Sequence, residues 1–469
     1  MILAFTTLHQ LTLLGSKELV QELGGLPLAL AQAGSYIHQT NNDVIGYLSL
    51  YREKWSSLFE SDRFLSLRDL GGRSILTTWT LSYEAIQRKC PDAAQMLQLW
   101  SYFDHGDLWY GLFTPLLSVA TTLETKLPEW YARVVSSPTN FNVVIQALLS
   151  YSLAEPQPTP LAYSVHPAVH RWCYHKAVKD RNATARLALI ILGSTVPQEM
   201  NRNYWVVERR LLPHCNHLHK VMKDMPVASL KEYGDNNLLL YSYHMLGNLY
   251  RGQGKLKEAE EMYQRALKGK EKAWGSEHTS TLDTVNNLGN LYSDQGKLKE
   301  AEEMYQRALK GKEKACGSEH TSTLDIVNNL GNLYRGQGKL KKAEEMYQRA
   351  LKGYEKAWGL EHTSTLRTVN NLGLLYCDQG KLKEAEEMYQ RALKGYEKAC
   401  GSEHTSTLDT VNNLGNLYRG QGKLKEAEEM YQRALKGYEK ARGPNHPNTI
   451  RIARNLENLT QDSVCSKAT

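Results

Sequence analysis

The sequence predicts a mostly α protein: a C-terminal α-solenoid of helical hairpins, preceded by a small helical domain and a winged-helix-like domain. The glycine of "LGNLY" and its near copies recurs at Gly247, Gly289, Gly331, Gly373 and Gly415, each step being 42 residues. Every unit holds two apolar patterns of helical period joined by a short glycine-containing turn, the mark of an antiparallel helix pair. One such pair cannot bury its apolar face alone, so the copies must stack.

The totals agree with this and narrow the function. Of 469 residues, 41% are apolar, enough for large cores. Lys plus Arg number 57 against 50 Asp plus Glu, a formal +7 with the signs interspersed. No single-sign field therefore exists to draw nucleic acid or an acidic membrane. The seven cysteines, Cys90, Cys173, Cys215, Cys316, Cys377, Cys400 and Cys465, form no C-x-x-C pair and are odd in number. Reduced thiols and a cytoplasmic location are expected. The opening "MILAFTTLHQLTLLGSK" has no basic leader and no A-x-A cleavage pattern, so no secretory signal is expected. No run reaches the ~20 apolar residues of a membrane span. The sequons at Asn182 and Asn458 then read as chance matches.

Taken in order, residues 1–68 are helical, with "GGLPLALAQAGSYI" placing Pro27 at the first position of a helix. In residues 69–176, "SILTTWTLSYEAI" and "DAAQMLQLWSYF" read as helices. Two short apolar strands then flank the proline-rich "PQPTP", which gives the winged-helix reading. The candidate recognition helix "NFNVVIQALLS" has no Lys or Arg for phosphates, so DNA reading is not expected. Residues 177–239 are a helical linker or degenerate hairpins. Within them "PHCNHLH" sets Cys215 and His219 at i,i+4, but a second ligand pair is missing and no metal site is expected.

The solenoid occupies 240–460. In its second unit Leu282, Val285, Leu288, Gly289 and Tyr292 share one helix face, and Leu298, Ala301, Tyr305, Ala308 and Leu309 share another. Gly289 inside a helix costs about 1 kcal/mol relative to Ala, a cost that close approach of the partner helix would offset. Glu303 and Arg307 suit an i,i+4 pair. Gly275, Gly317, Gly359, Gly401 and Gly443 stand where a helix end wants a left-handed residue. A second period of 84 residues lies over the first, because "RGQG" and "DQG" turns alternate, as do Trp274, Cys316, Trp358 and Cys400. His278, His320, His362, His404 and His446 recur once per unit, too far apart for the ~2 Å of metal ligation, and read as loop residues. Pro447, with Ile450, Ala453 and Leu456, opens a capping helix whose Arg451 and Arg454 solvate the exposed end. Residues 461–469 read as a disordered tail.

The spacing L-G-x-x-Y followed by Ala301, Tyr305 and Ala308 resembles the tetratricopeptide repeat. The longer unit, with "EHTSTLDTVNNLGNLY" and "KLKEAEEMYQRALKGYEKA", is similar to the kinesin-light-chain type. That resemblance implies a concave groove lined by the first helix of each hairpin. In it Asn286, Asn290, Asn328, Asn332, Asn370, Asn412 and Asn416 would hold the backbone of an extended peptide, since an amide both donates and accepts. Arg251, Arg335 and Arg419 would meet a carboxylate. Leu374, where the copies have Asn, makes the groove uneven. The competing reading is that these asparagines bond to neighbouring repeats and the arginines are solvated.

"ELGGLPLALAQAGSYI", "TTWTLSYEAI", "SYSLAE" and "YSVHPAVHRWC" resemble the C-terminal part of an NB-ARC NTPase module, as found in fungal receptor-like proteins carrying tetratricopeptide arrays. The first of these stretches would be the helical (ARC1-like) segment of that module. In that family the residue matching Pro27 lies against the nucleotide base and that matching His166 senses its phosphates. Pro167 departs from the aspartate of plant relatives. Phosphate binding in this class needs G-x-x-x-x-G-K-[ST], and no such run occurs; "GNLYRGQGKL" lacks the earlier glycine and the Ser/Thr. Pro27 and His166 are thus expected as vestiges, with no cofactor, no catalytic residues and no nucleotide. The expected function is a scaffold, a truncated receptor-like signalling protein that binds a protein or peptide in the groove without turnover. The alternatives are a kinesin-light-chain-like cargo adaptor, for which the upstream heptads are lacking, and the C-terminal part of an active switch NTPase.

Overall fold

A computed structural model describes residues 15–59, 73–176, 181–197, 204–223 and 236–468. The chain divides into two compact units, Met1–Thr195 with Arg210–Leu239, and Val196–Arg209 with Leu240–Thr469.

The first unit begins with α1 (15–22) and a turn in which Gly24 and Gly25 take φ of 63° and 67°, leading into α2 (Pro27–Thr40) with Pro27 at its start. Helices α3 (Val44–Phe59), α4 (Arg73–Lys89) and α5 (Pro91–Trp100) follow. Gln32 of α2 is wholly buried; its Oε1 accepts from Trp79 Nε1, and its Nε2 donates to the Ser152 carbonyl at 3.0 Å. A polar side chain in an apolar core is stable only when satisfied in this way. The chain continues through β1 (Leu108–Trp109), α6 (Tyr110–Phe113), α7 (Pro115–Thr122), α8 (Glu129–Val135), α9 (Pro138–Ser150), β2 (Glu155–Pro156), β3 (Ala162–Ser164), α10 (Pro167–His175) and α11 (Arg181–Thr195). The strands form one antiparallel sheet in the order β1-β3-β2, with Leu108 opposite Tyr163 and Glu155 opposite Ser164. The proline-rich turn joins β2, which is exposed, to β3.

Helix α12 (Tyr204–Lys223) carries Pro213 in its interior. Ten helices pair into five hairpins of the second unit: α13 (Asn236–Gly252) with α14 (Leu256–Trp274), α15 (Thr279–Asp294) with α16 (Leu298–Cys316), α17 (Thr321–Gly336) with α18 (Leu340–Trp358), α19 (Thr363–Asp378) with α20 (Leu382–Cys400), and α21 (Thr405–Gly420) with α22 (Leu424–Arg442). The cap α23 (Pro447–Ala468) packs on α22 and continues helical through the stretch that composition alone left as a disordered tail.

The hairpin core is as the spacing predicts: Val285, Ala301, Tyr305 and Ala308 are buried together with Ile326, Leu330 and Leu333 of the next hairpin. The glycines explain how the helices come so close. A Cβ on Gly331 would lie 2.6 Å from the Tyr347 ring, and one on Gly353 would lie 2.2 Å from Leu324 Cδ1. Each hairpin therefore needs two glycines, and the second, in "ALKGY", escapes a search for helix breakers.

Two expectations are corrected. Gly317 and its copies do not take the left-handed helical conformation; Gly317 has φ 96° and ψ 161°, an extended left-handed conformation almost confined to glycine. The chain must there reverse from one hairpin to the next rather than close a helix end. Arg307 does not pair with Glu303 four residues before it but reaches Glu271 of the preceding hairpin at 2.6 Å. The same cross-hairpin pair recurs as Arg349–Glu313, Arg391–Glu355 and Arg433–Glu397. In the first hairpin the equivalent Arg265 falls back on Glu261 at i,i+4.

Candidate functional site

The candidate site is the inner wall of the solenoid, built by the first helix of each hairpin. From the second hairpin on those helices, and then the cap, are started by the recurrent histidines: His278, His320, His362, His404 and His446 each accept a backbone N–H two residues on, at 3.2 Å, through Nδ1. They are N-caps, a role usually taken by Ser, Thr, Asp or Asn, and among the described residues no cluster able to hold a metal exists.

The predicted asparagines fall into two rows with different surroundings. In one row, Asn290, Asn332 and Asn416 each accept from the hydroxyl of Tyr305, Tyr347 and Tyr431 at 2.7 Å, across their own hairpin. Asn332 and Asn416 remain exposed. Where the copy is Leu374, Tyr389 turns instead to Cys377 Sγ at 3.7 Å. In the other row the carbonyl oxygens accept from an asparagine of the following hairpin or cap: Asn286 from Asn329 at 3.1 Å, Asn328 from Asn371 at 3.2 Å, Asn370 from Asn413 at 3.2 Å, and Asn412 from Asn455 at 3.3 Å. Asn328 and Asn412 are buried, and each holds an Nδ2 donor without a partner. Sequence reasoning missed the donor half of this ladder, although the "NN" doublet carried it in plain view.

At the first rung the asparagine is replaced by His244. Its Nε2 accepts from Asn287 at 3.3 Å, and its Nδ1 lies 3.0 Å from Thr284 Oγ1. Burial pushes its pKa down to about 3, so it is neutral and can accept. Lys270 beside it donates to Thr284 Oγ1 at 2.9 Å and to the Ser280 carbonyl at 3.1 Å; burial lowers it to about 8.

The arginines are engaged within the solenoid. Arg251 meets Asp294 at 2.6 Å and Arg335 meets Asp378 at 3.3 Å, each across one hairpin boundary. This is the chemistry of the 84-residue period: the "RG" turn of an odd hairpin faces the "D" turn of the next. One wall position breaks the repeat altogether, with Arg367 where the copies have Asp283, Asp325 and Asp409. Arg367 binds Asp325 at 2.6 Å, and the same oxygen accepts from Tyr354 at 2.7 Å.

These helices enclose a cavity of about 1150 Å³ within the second unit. Asn286, Asn290, Asn328, Asn332 and Arg251 line it, together with Arg367; Asn370, Asn412, Asn416, Arg335 and Arg419 lie outside that lining.

The two remaining candidates belong to the first unit. Pro27 is an exposed helix-start residue, and His166 is an exposed N-cap of α10 whose Nδ1 accepts from Ala168 N at 3.2 Å. Of the "PHCNHLH" residues, Cys215 is buried and in no disulfide, and His214 accepts from the Asp104 backbone N–H at 3.1 Å.

Comparison with known proteins agrees with this architecture. Tetratricopeptide-repeat family profiles match residues 280–356, 364–440 and 410–461, and two further profiles of that description match 239–280 and 328–399. A nucleotide-binding leucine-rich repeat (NLR)-like protein of Hyaloscypha variabilis is 30% identical over 285 residues, which is 58% of this chain and 26% of the relative. The chain thus spans about a quarter of the length of that curated relative. Among solved structures, the nearly identical tetratricopeptide-like repeats of a Podosopora anserina protein termed a kinesin light chain are 27% identical, with a TM-score of 0.35 over 44% of this chain and 98% of that one. BtubC (BKLC) from P. vanneervenii is 24% identical, with a TM-score of 0.36 over 56% of this chain and 94% of that one. Among the described residues no helix is long and apolar enough to cross a membrane. Residues 239–461 are tetratricopeptide repeats stacked into an α-solenoid.

Proposed function

We propose that this chain is a protein-interaction scaffold whose solenoid holds an extended polypeptide along its inner wall, without nucleotide turnover. The observation that carries the reading is the polar cavity lined by asparagines of successive first helices. The two rows divide the work. Asn286, Asn328, Asn370 and Asn412 spend their carbonyl oxygens on the neighbouring repeat and fix the spacing of the wall. Asn290, Asn332 and Asn416 spend theirs on a tyrosine, and Asn416 also on Asn455, which leaves an amide N–H₂ for a ligand carbonyl at Asn332 and Asn416, while that of Asn290 already reaches Asn287 Oδ1 at 3.5 Å. Arg251, Arg335 and Arg419 act on the ligand through exchange of their present partners, in the manner of a rim charge.

The first unit is, on this proposal, the C-terminal part of an NB-ARC module, with Pro27 and His166 as vestigial nucleotide contacts. The 30% identity to an NLR-like protein supports it. The chain has no G-x-x-x-x-G-K-[ST] run to cradle phosphates. The scaffold would then act in the cytoplasm as a receptor-like protein.

The test uses a peptide selected on the purified full chain from a random library. Asn332→Ala should weaken that peptide about 3- to 10-fold, the value of one hydrogen bond, and more than Tyr347→Phe, which removes the same Tyr–Asn bond but keeps the amide. Failure to select any peptide, or equal weakening by the two variants, overturns the reading. A micromolar, Mg²⁺-dependent ATP isotherm abolished by His166→Ala would overturn the absence of a nucleotide site.

A further inference from the structure

The repeats are near copies, so a position that departs from the copies at one end of the array points to a local demand. Helix α22 ends in Arg442, where the preceding hairpins carry Trp274, Cys316, Trp358 and Cys400. Arg442 does not project into water. Its side chain is 9% exposed and meets Glu208, itself 6% exposed, at 2.8 Å. Nη1 also donates to the Gly252 carbonyl at 3.2 Å, and Nη2 to the Tyr204 hydroxyl at 2.7 Å. Gly252 ends α13, the first helix of the first hairpin, so these bonds tie the last hairpin to the first.

Three further contacts meet at the same place. Glu208 Oε2 accepts from Gln253 Nε2 at 3.0 Å. His446 accepts through Nδ1 from Asn448, which puts its proton on Nε2, and Nε2 donates to the Gly252 carbonyl at 3.1 Å. Pro447 Cγ lies 3.2 Å from where a Cβ on Gly254 would be, and Gly254 has φ 72°. A side chain at 254 would be strained by its backbone and would press on Pro447. Arg442, Glu208, Gly252, Gly254, His446 and Pro447 all line the cavity. A buried guanidinium is tolerable only with its donors taken up, and this junction supplies a carboxylate, a carbonyl and a phenol.

We propose that Arg442 is the bolt of a latch that closes the five hairpins into a circuit around the cavity, and that releasing it frees the first hairpin from the last and opens the inner wall from the side. The latch rests on these contacts; its meaning for ligand entry rests on the wall being the binding surface, as proposed above.

The test needs no ligand, so it stands or falls apart from the peptide reading. Hydrogen exchange by mass spectrometry is followed on the full chain, wild type and Arg442→Cys, a residue the second and fourth hairpins already carry at this place. Exchange should rise about tenfold or more in 249–256 and in 446–452 together, while the equivalent turns 291–298 and 333–340 stay as in the wild type. Glu208→Gln, which keeps the shape and removes the charge, should raise the same two segments by a smaller factor and serves if the first variant does not fold. Unchanged exchange at 249–256 in both variants, or a rise at every turn alike, overturns the latch.

Discussion

Gly331→Ala sets two effects of opposite sign against each other at one atom. In an open helix the substitution gains about 1 kcal/mol of propensity. Here the new Cβ would stand 2.6 and 2.7 Å from two carbons of the Tyr347 ring, which is itself fully buried and cannot swing away. Overpacking of this kind costs about 1–3 kcal/mol. Moving the ring also stretches its hydroxyl from Asn332, worth about 0.5–1.5 kcal/mol. The sum is a net loss of roughly 0.5–3.5 kcal/mol, confined to the third hairpin. Gly336→Ala is the control: it lies in the same helix, nothing stands within 4 Å of its Cβ position, and its φ is ordinary, so it should stabilise by up to about 1 kcal/mol. Solenoids do not unfold as a single step, and local opening energies from hydrogen exchange in residues 321–358 are therefore the proper assay. If Gly331→Ala matches or exceeds the wild type there, close helix approach is not what the repeated glycine serves.

Acid should weaken the first unit. Burial pushes His170 and His214 down to about 4, against 6.5 when unfolded. Both are neutral when folded, and His105, His217, Asp104, Asp107 and Lys220 are the charged or titratable groups that act on one or both of them, or on His217 beside them. The unfolded chain therefore binds the extra protons, and stability is complete above pH 6.5 and lost as pH falls toward 4, by up to about 3 kcal/mol for each histidine. Urea unfolding followed by tryptophan fluorescence should show a lower midpoint at pH 5 than at pH 7; equal midpoints would refute the assignment. The Arg349–Glu313 pair is about one-third exposed on each side, so a double-mutant cycle should give only about 0.2–1 kcal/mol of coupling, shrinking with salt. A coupling above 2 kcal/mol would mean the pair is far more shielded than its exposure implies.

The period of 42 residues made the solenoid legible because each copy repeats the same apolar spacing, and Val285, Ala301, Tyr305 and Ala308 lie where that spacing puts them. The wall was legible in part. The asparagines could be picked out as poor helix formers at regular steps, but their partners sit 43 residues away in the next hairpin, beyond any pattern within one helix. A separation of 36 residues likewise hid Glu271 from Arg307 and made the i,i+4 neighbour the nearest candidate. Histidine as an N-cap escaped because propensity scales favour shorter polar side chains there. The closure at Arg442 was legible only as a broken alternation; Glu208 and Gly252 lie 234 and 190 residues away in sequence.

The Arg–Asp pairing of the turns also governs how such an array can grow or shrink. Arg251 and Arg335 lean forward onto Asp294 and Asp378, so the electrostatic unit spans two hairpins. Removing the second or the fourth 42-residue copy alone would set an arginine turn against another arginine turn, where glycine stands in place of the aspartate, and strand a cation at the seam; removing the third alone would leave Asp378 without its arginine. Loss or gain of copies two at a time keeps every boundary matched, so lengths that differ by an even number of hairpins are the ones this surface chemistry accepts.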